Sequence, residues 1–228
     1  MNMLDIILNT VFPEVCLLCG CTCERIPANI AFPICPSCFA SLPFRQSYFS
    51  RIPAVPEDLL FCSALVCPLS YSGEIPQAIS EHKFRGVHAF SLLWGALIAK
   101  MLYRQNLVGR IDIIIPVPLH IRRLRHRGYN QAEDIAIVIS KLTGIPTCTD
   151  GLTRICNTLP QSTLDRRRRL SADGHAFNAD SNVLYGKRVL LVDDVVTTGS
   201  TLERCGKACA AAGTLTVIYA AAATGRAR

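Results

Sequence analysis

The sequence predicts an α/β protein in which a mostly parallel sheet is flanked by helices and preceded by a small cysteine-rich ribbon. Three observations lead to this prediction. Apolar strand-like runs alternate with helical periodicity from about residue 51 onward, as crossover helices between parallel strands require. Several of these runs are apolar at every position, which is typical of central strands covered on both faces. The segment before them carries paired cysteines and little regular periodicity.

Composition narrows the class of protein further. The chain has 228 residues, of which 50% are hydrophobic and 18% charged, so we expect one sizeable core with a small appendage and no long disordered tail. The net charge of +7 is concentrated in two arginine clusters, Arg122 to Arg127 and Arg166 to Arg169. This concentration favours an anionic partner, and a solvated basic face is the alternative interpretation.

The first residues predict a cytoplasmic setting. No basic segment precedes the first apolar stretch, and Asp5 interrupts that stretch, so we expect no signal peptide. The apolar residues from Leu4 to Phe12 fall at helical spacing and predict a short amphipathic helix. The longest apolar run, Phe90 to Ala99, is about half of a bilayer span, so we expect no transmembrane segment. In a reducing compartment, paired cysteines bind metal more often than each other.

We expect a domain boundary near residue 50. Residues 1–50 would form the amphipathic helix and the ribbon, and residues 51–228 the α/β domain. The predicted strands of that domain are Leu59–Val66, Ile111–Ile115, Val189–Val192 and Leu215–Ala220. The predicted helices are Ile75–Phe84, Phe90–Arg104, Gln131–Leu142 and Thr201–Ala212.

Four of the twelve cysteines predict a structural zinc site. Cys16 and Cys19 form one CxxC pair, Cys35 and Cys38 form another, and fifteen residues separate the pairs. This spacing lets two turns close around one tetrahedral ion, and four thiolates leave no open position for catalysis. Cys21 and Cys23 lie beside the first pair, and either of them could replace Cys19 as a ligand.

A phosphate-binding turn is predicted near the C-terminus. The apolar run Val189–Val192 is followed by Asp193 and Asp194, two apolar residues, and a hydroxyl-rich turn that opens a helix. The turn consists of Thr197, Thr198, Gly199, Ser200 and Thr201. Backbone N–H groups at a helix N-terminus, aided by hydroxyls, hold phosphate, and carboxylates at the end of a strand can bind ribose hydroxyls. A Walker A loop is excluded because no Gly-Lys-Ser/Thr sequence follows.

This motif resembles that of the type I phosphoribosyltransferases. The resemblance implies that the chain has their fold and binds their substrate, phosphoribosyl pyrophosphate. Asp193 and Asp194 would contact the ribose, and residues 197–201 would wrap the 5-phosphate. Purine-salvage members have a third Asp where this sequence has Thr197, which makes a hypoxanthine- or guanine-type salvage activity unexpected.

The resemblance narrows to the ComF family, in which a four-cysteine ribbon precedes the transferase domain. The residues that carry it are Lys83–Gly86, Pro116–Pro118, Arg127–Gln131, Arg154, Gln161 and Ala176–Phe177. Many relatives have Asn where this chain has Ala172, so we expect this chain to lack any function that the Asn side chain has in them. The family is associated with natural competence, in which imported single-stranded DNA is handled on the cytoplasmic side. Proteins of the DNA-uptake machinery are therefore possible partners.

The resemblance also implies where catalysis would occur. Val117 and Pro118 follow the first core strand, where the family has its pyrophosphate loop, and Arg122 to Arg127 follows where a mobile catalytic loop would lie. Arg127 is our candidate for the pyrophosphate contact, and Arg127, Asp193 and Asp194 are the candidate catalytic residues. Mg²⁺ would be held mainly by the diphosphate and water, with Asp193 or Asp194 in reach.

Three functional classes follow from these residues. The protein could be a phosphoribosyltransferase with an acceptor that the sequence does not identify, a competence factor that binds single-stranded DNA, or a phosphoribosyl pyrophosphate sensor without catalysis. Clustered arginines neutralise backbone phosphates. The candidate DNA-binding residues are Arg122, Arg123, Arg125, Arg166, Arg167 and Arg168.

Overall fold

A computed structural model describes residues 15–22, 34–84, 88–155 and 176–226. The strands in these residues are β1 (Ala64–Val66), β2 (Leu69–Ser70), β3 (Ile113–Pro116), β4 (Leu152–Arg154), β5 (Phe177–Ala179), β6 (Arg188–Val196) and β7 (Thr216–Thr224). The helices are α1 (Pro36–Ser41), α2 (Gln46–Phe49), α3 (Ile75–Phe84), α4 (Ala89–Arg104), α5 (Ile121–Arg127), α6 (Gln131–Thr143), α7 (Ser181–Leu184) and α8 (Ser200–Ala211).

The main sheet is parallel throughout. Its strand order is β1-β7-β6-β3, and β2 continues along β7 beyond β1. Alternate residues of β6 enter two different apolar clusters: Leu190 and Val192 face one, Val189 and Leu191 the other. A strand that is apolar at every position is therefore covered on both faces, as its sequence predicts.

Helices form the two covering layers. On one face α4 and α6 pack against each other and against the sheet, with the fully buried Trp94 and Ile139 in the same cluster as Leu190. On the other face α8 buries Leu202 and Cys205 against β6 and β7. Beside α8 lies a second, antiparallel pair of strands, β4 and β5.

The structure corrects several details of the sequence prediction. The strands predicted to end at Ile115, Val192 and Ala220 continue to Pro116, Val196 and Thr224. The strand predicted at Leu59–Val66 begins only at Ala64, because residues 59–62 form a turn whose Leu60 and Phe61 N–H groups donate to Glu203. The segment expected to be a mobile loop is helix α5. It begins at His120, whose ring caps the first turn, and ends at Gly128 in a left-handed conformation that favours glycine.

The cysteine-rich segment packs against the α/β core. Cys16, Ile34, Cys35 and Tyr48 are buried in the cluster that also contains Ala64 of β1 and several residues of α4. The helix predicted at residues 4–12 lies outside the described residues, and the domain boundary near residue 50 stays a prediction. Among the described residues, no helix has the length and hydropathy needed to span a membrane.

Candidate functional site

The carboxyl ends of β3 and β6 form the edge at which the predicted site residues meet. Pro116 pairs with Val192, and the Val117 N–H donates to the Val192 carbonyl at 2.8 Å. Val117 and Pro118 therefore leave the sheet beside Asp193. Open α/β sheets bind their ligands at this edge.

An acidic pair lies in the second half of β6, which continues beyond the predicted strand end at Val192 to Val196. Asp194 is 6% exposed, and its Oδ2 lies 2.8 Å from Nζ of Lys83, which α3 brings to this edge. The Asp194 N–H donates to Oδ1 of Asp193 at 2.8 Å. Burial, together with the charge of Asp194, raises the pKa of Asp193 to about 7. The charge of Asp193 is thus poorly compensated, which fits a position beside a bound cation.

The hydroxyl-rich turn connects β6 to α8. Gly199 has φ of +82°, and a Cβ at this position would lie 2.8 Å from Cδ2 of Leu59, so both the conformation and the space favour glycine. The Thr198 hydroxyl donates to the Ser200 hydroxyl at 3.1 Å and accepts from the Ser200 N–H at 3.4 Å. Thr197 and Thr198 are exposed, and Thr201 lies in the first turn of the twelve-residue helix. An N-terminus of this kind, rich in N–H and hydroxyl donors, can bind an anion.

The predicted arginines fall into different settings. Arg122, Arg123 and Arg125 are exposed on α5. Arg127 is half-buried, with its guanidinium 5.2 Å from the centre of the Phe84 ring and its Nη1 donating to Oε1 of Gln131 at 2.6 Å. Its contact with a pyrophosphate stays a prediction. Arg166, Arg167 and Arg168 lie outside the described residues.

Sequence reasoning missed several side chains at this edge. Lys83 and Arg154 were noted only as parts of the family resemblance. Arg154 lies over the Phe177 ring, and its pKa is lowered by burial and by Arg123, while the charge of Asp193 acts in the opposite direction. Arg154 therefore belongs to the electrostatic surroundings of the acidic pair. No local pattern marks either residue, because their relation to Asp193 and Asp194 depends on tertiary structure.

His82 is a buried neighbour of the acidic pair. Its ring is fully buried, and neither ring nitrogen has a hydrogen-bond partner among the residues that the structure describes. Burial lowers its pKa to about 4, against the opposing charges of Asp194 and Asp134 and together with those of His88 and Lys83. The imidazole is therefore neutral at pH 7 and packs beside α4 as part of the site's support.

The four predicted cysteines converge on one point. The sulfurs of Cys16, Cys19, Cys35 and Cys38 all lie within 4.8 Å of one another, and those of Cys19 and Cys35 are 3.8 Å apart. A tetrahedron of about 2.3 Å Zn–S bonds has edges of about 3.8 Å, so the cluster could hold a metal ion of this size.

Backbone donors support the thiolate form of this cluster. The Cys35 N–H donates to the Cys16 sulfur at 3.3 Å, and the Cys38 N–H donates to the Cys35 sulfur at 3.4 Å. The Cys21 sulfur lies 3.2 Å from that of Cys19, adjacent to the four. Cys23, the other alternative ligand, lies outside the described residues.

Comparison with known proteins identifies the fold family. The phosphoribosyl transferase domain family matches residues 94–228, which is more than half of the chain. The chain belongs to this family. The match includes β3, the acidic pair and the whole hydroxyl-rich turn. It confirms the predicted phosphoribosyltransferase fold.

Within this family, the chain is similar to competence proteins. Competence protein F of Haemophilus influenzae is 38% identical over 120 residues, covering 48% of this chain and 52% of that protein, so the match spans about half of its length. Competence protein ComFC of Bacillus subtilis is 27% identical over 197 residues, covering 83% of this chain and 75% of that protein. These relatives and the family match confirm the resemblance to the ComF family.

Among solved structures, the glutamine phosphoribosylpyrophosphate amidotransferase from B. subtilis complexed with ADP and GMP is 25% identical. It covers 48% of this chain and 22% of that chain, with a TM-score of 0.35. The fold assignment accordingly rests on the family match and on the sheet topology.

Proposed function

We propose that the protein is a ComF-type factor that binds phosphoribosyl pyrophosphate with Mg²⁺ and acts in DNA uptake during natural transformation, on the cytoplasmic side. One observation supports the choice of this ligand: the acidic pair of β6 is followed closely by the hydroxyl-rich turn that begins α8. Nothing else in the described residues combines ribose-binding and phosphate-binding groups in this way.

The proposed ligand uses each part of the edge. The N–H groups and hydroxyls of residues 197–201 hold the 5-phosphate, and Asp193 and Asp194 accept from the ribose hydroxyls. Val117 and Pro118, which follow the neighbouring strand β3, and Arg127, at the end of α5, would contact the pyrophosphate. Bound Mg²⁺ neutralises diphosphate charge. Because Lys83 already pairs with Asp194, Asp193 is the carboxylate better suited to lie near the cation.

Isothermal titration tests the proposed site. Phosphoribosyl pyrophosphate should bind with Mg²⁺, and ribose 5-phosphate should compete. The double variant Asp193→Asn, Asp194→Asn should lose most of this affinity, whereas Asp150→Asn, which changes an exposed carboxylate that is not one of the proposed site residues, should keep it. Equal affinity in the wild type and the double variant would mean that the ligand binds elsewhere.

The ligand can serve catalysis or regulation. A transferase forms a cation-like ribose at C1 as pyrophosphate leaves, and the cations Arg127 and Arg154 together with Mg²⁺ would stabilise the leaving charge. Acceptor-dependent release of pyrophosphate would identify an enzyme. Ligand binding without such release, across nucleobases and nucleosides, would favour the sensor.

The proposed nucleic-acid partner is single-stranded DNA. Arg122, Arg123 and Arg125 project from one exposed helix next to the phosphoribosyl site, and Tyr129 follows them. Replacing these three arginines by Gln should reduce the slope of log affinity against log salt by about 2, since each phosphate contact in a single strand contributes about 0.7. An unchanged slope would exclude this helix. Parallel replacement of Arg166, Arg167 and Arg168 tests the second cluster.

A transformation assay tests the biological role. A strain lacking the protein should regain DNA uptake with the wild-type gene and fail to regain it with the Asp193→Asn, Asp194→Asn variant. Full complementation by that variant would separate competence from the phosphoribosyl site.

We further propose that the cysteine cluster holds one structural zinc ion. A segment of this size has too small a core of its own, so metal binding would supply much of its folding free energy. Four thiolates exclude an open coordination position, and the role is therefore structural.

A further inference from the structure

Arg226 connects three parts of the chain that meet beside the hydroxyl-rich turn. Its Nη1 donates to the carbonyl of Thr198, and its Nη2 pairs with Oδ2 of Asp58. The side chain is only 14% exposed although the residue follows the last strand. The guanidinium is held by the Thr198 carbonyl as well as by Asp58, because an ion pair with a carboxylate that is 69% exposed would by itself contribute little.

The backbone of Arg226 is also fixed. Its N–H donates to the Thr224 hydroxyl at 3.1 Å, and that hydroxyl donates to the Val196 carbonyl at 2.7 Å. The Arg226 carbonyl accepts from Nη1 of Arg45 at 3.0 Å. The guanidinium is therefore positioned from both its main chain and its carboxylate partner before any ligand arrives.

The contact with Thr198 sets the direction of a neighbouring donor. The peptide between Thr198 and Gly199 is trans, so its C=O and N–H point in opposite directions. When Arg226 binds the carbonyl on one side, the Gly199 N–H must point to the other side. A Cβ on Gly199 would lie 2.9 Å from Nη1 of Arg226, so the guanidinium packs closely against the backbone at this glycine.

We infer that Arg226 is a positioning residue that orients the Gly199 N–H toward the 5-phosphate of the ligand, and that Asp58 acts by holding the guanidinium of Arg226. The inference rests on the proposed function, because it concerns the same turn. Arg226 and Asp58 would thus support the site although they are far in sequence from the acidic pair and from the turn.

Titration with two ligands tests the inference. Arg226→Gln should weaken ribose 5-phosphate binding about tenfold, because a charge-assisted hydrogen bond that orients the turn is lost. Binding of Mg²⁺ with inorganic pyrophosphate should not change, because that ligand does not occupy the turn. Asp58→Asn should weaken ribose 5-phosphate binding by a smaller factor, and Arg226→Lys should give an intermediate loss, since an ammonium cannot reach both partners.

Coupling and a matched control complete the design. Adding Asp58→Asn to Arg226→Gln should cause no additional loss, because Asp58 acts through Arg226. Arg188→Gln removes a comparable ion pair, in which Nη2 lies 2.7 Å from Oδ1 of Asp112 at the opposite end of β6, and it should leave ribose 5-phosphate binding unchanged. Thermal melting checks that every variant is folded.

The outcomes separate this inference from the proposed function. If Arg226→Gln changes the affinity for ribose 5-phosphate by less than twofold, or weakens ribose 5-phosphate and pyrophosphate binding equally, the positioning role is wrong. Binding of both ligands by the wild type would still support the proposed site. An equal loss in Arg188→Gln would also overturn it. A wild-type protein that binds neither ligand would overturn the proposed function and this inference with it.

Discussion

The substitution Lys83→Met tests how the acidic pair is stabilised. Methionine keeps most of the length and apolar contact of the lysine stem but removes the ammonium that lies 2.8 Å from Oδ2 of Asp194. The side chain of Asp194 is 8% exposed, so its charge would remain buried without this partner. We expect the folded protein to lose stability for this reason.

The expected magnitude follows from the geometry. The Coulomb attraction of two unit charges at this separation is about 6 kcal/mol at an effective dielectric constant of 20, and desolvation offsets part of it. Breaking a buried pair on one side costs about 3–5 kcal/mol. Since Lys83 remains 24% exposed, we place the loss for Lys83→Met at the lower end, about 3 kcal/mol.

Urea denaturation measures this loss, with the slope of unfolding free energy against urea expected to stay constant. Adding Asp194→Asn to Lys83→Met should recover a large part of the stability, because the uncompensated charge is then absent. Lys207→Met, at an exposed position on α8, should change stability by less than about 0.5 kcal/mol. A loss below about 1 kcal/mol in Lys83→Met, or no recovery in the double variant, would refute the reasoning.

Three further predictions concern metal, pH and the turn. Cys19→Ser and Cys38→Ser should each abolish stoichiometric zinc binding and Cys21→Ser should retain it, as metal analysis of the reduced protein can establish. Zinc that is kept in Cys19→Ser and lost in Cys21→Ser would make Cys21 the ligand in place of Cys19. Burial lowers the pKa of His82 to about 4, below the value of about 6.5 in the unfolded chain, so its contribution to stability is complete above pH 6.5 and lost as pH falls toward 4. Between pH 7.5 and 4.5, the free energy of unfolding measured in urea should therefore fall by about 2 kcal/mol more in the wild type than in His82→Gln. An equal fall in both proteins would contradict this. Gly199→Ala should weaken ribose 5-phosphate binding at least about tenfold, since φ of +82° and the close Leu59 side chain both oppose a Cβ; unchanged affinity would contradict this account of the turn.

Much of the fold could be predicted because its central elements are long and strongly patterned. The helix Ile75–Phe84 has the predicted bounds, and α4, α6 and α8 differ from prediction by a single residue at their ends. The strands β4 and β5 were missed because each has only three residues, which is too short for a periodic signal. β5 packs against α8, and no local pattern in the sequence indicates this contact.

The candidate site likewise contains residues that the sequence predicts and residues that it does not. The acidic pair and the turn lie in one continuous stretch, so sequence places them together. Lys83 and Arg226 reach the site from other elements; Arg226, for example, lies 28 residues from the carbonyl of Thr198 that it binds. No local pattern indicates such a contact, because it exists only once the strands are aligned. The helical state of α5 was missed for a different reason, since the resemblance implied a loop at this place.

A crystal structure of the protein with phosphoribosyl pyrophosphate and Mg²⁺ tests the central claim most directly. The account predicts the 5-phosphate within hydrogen-bond distance of the N–H groups of Gly199, Ser200 and Thr201, and the ribose hydroxyls at Asp193 or Asp194. A ligand whose 5-phosphate lies away from this turn, with the acidic pair making no ribose contact, would contradict the proposed site.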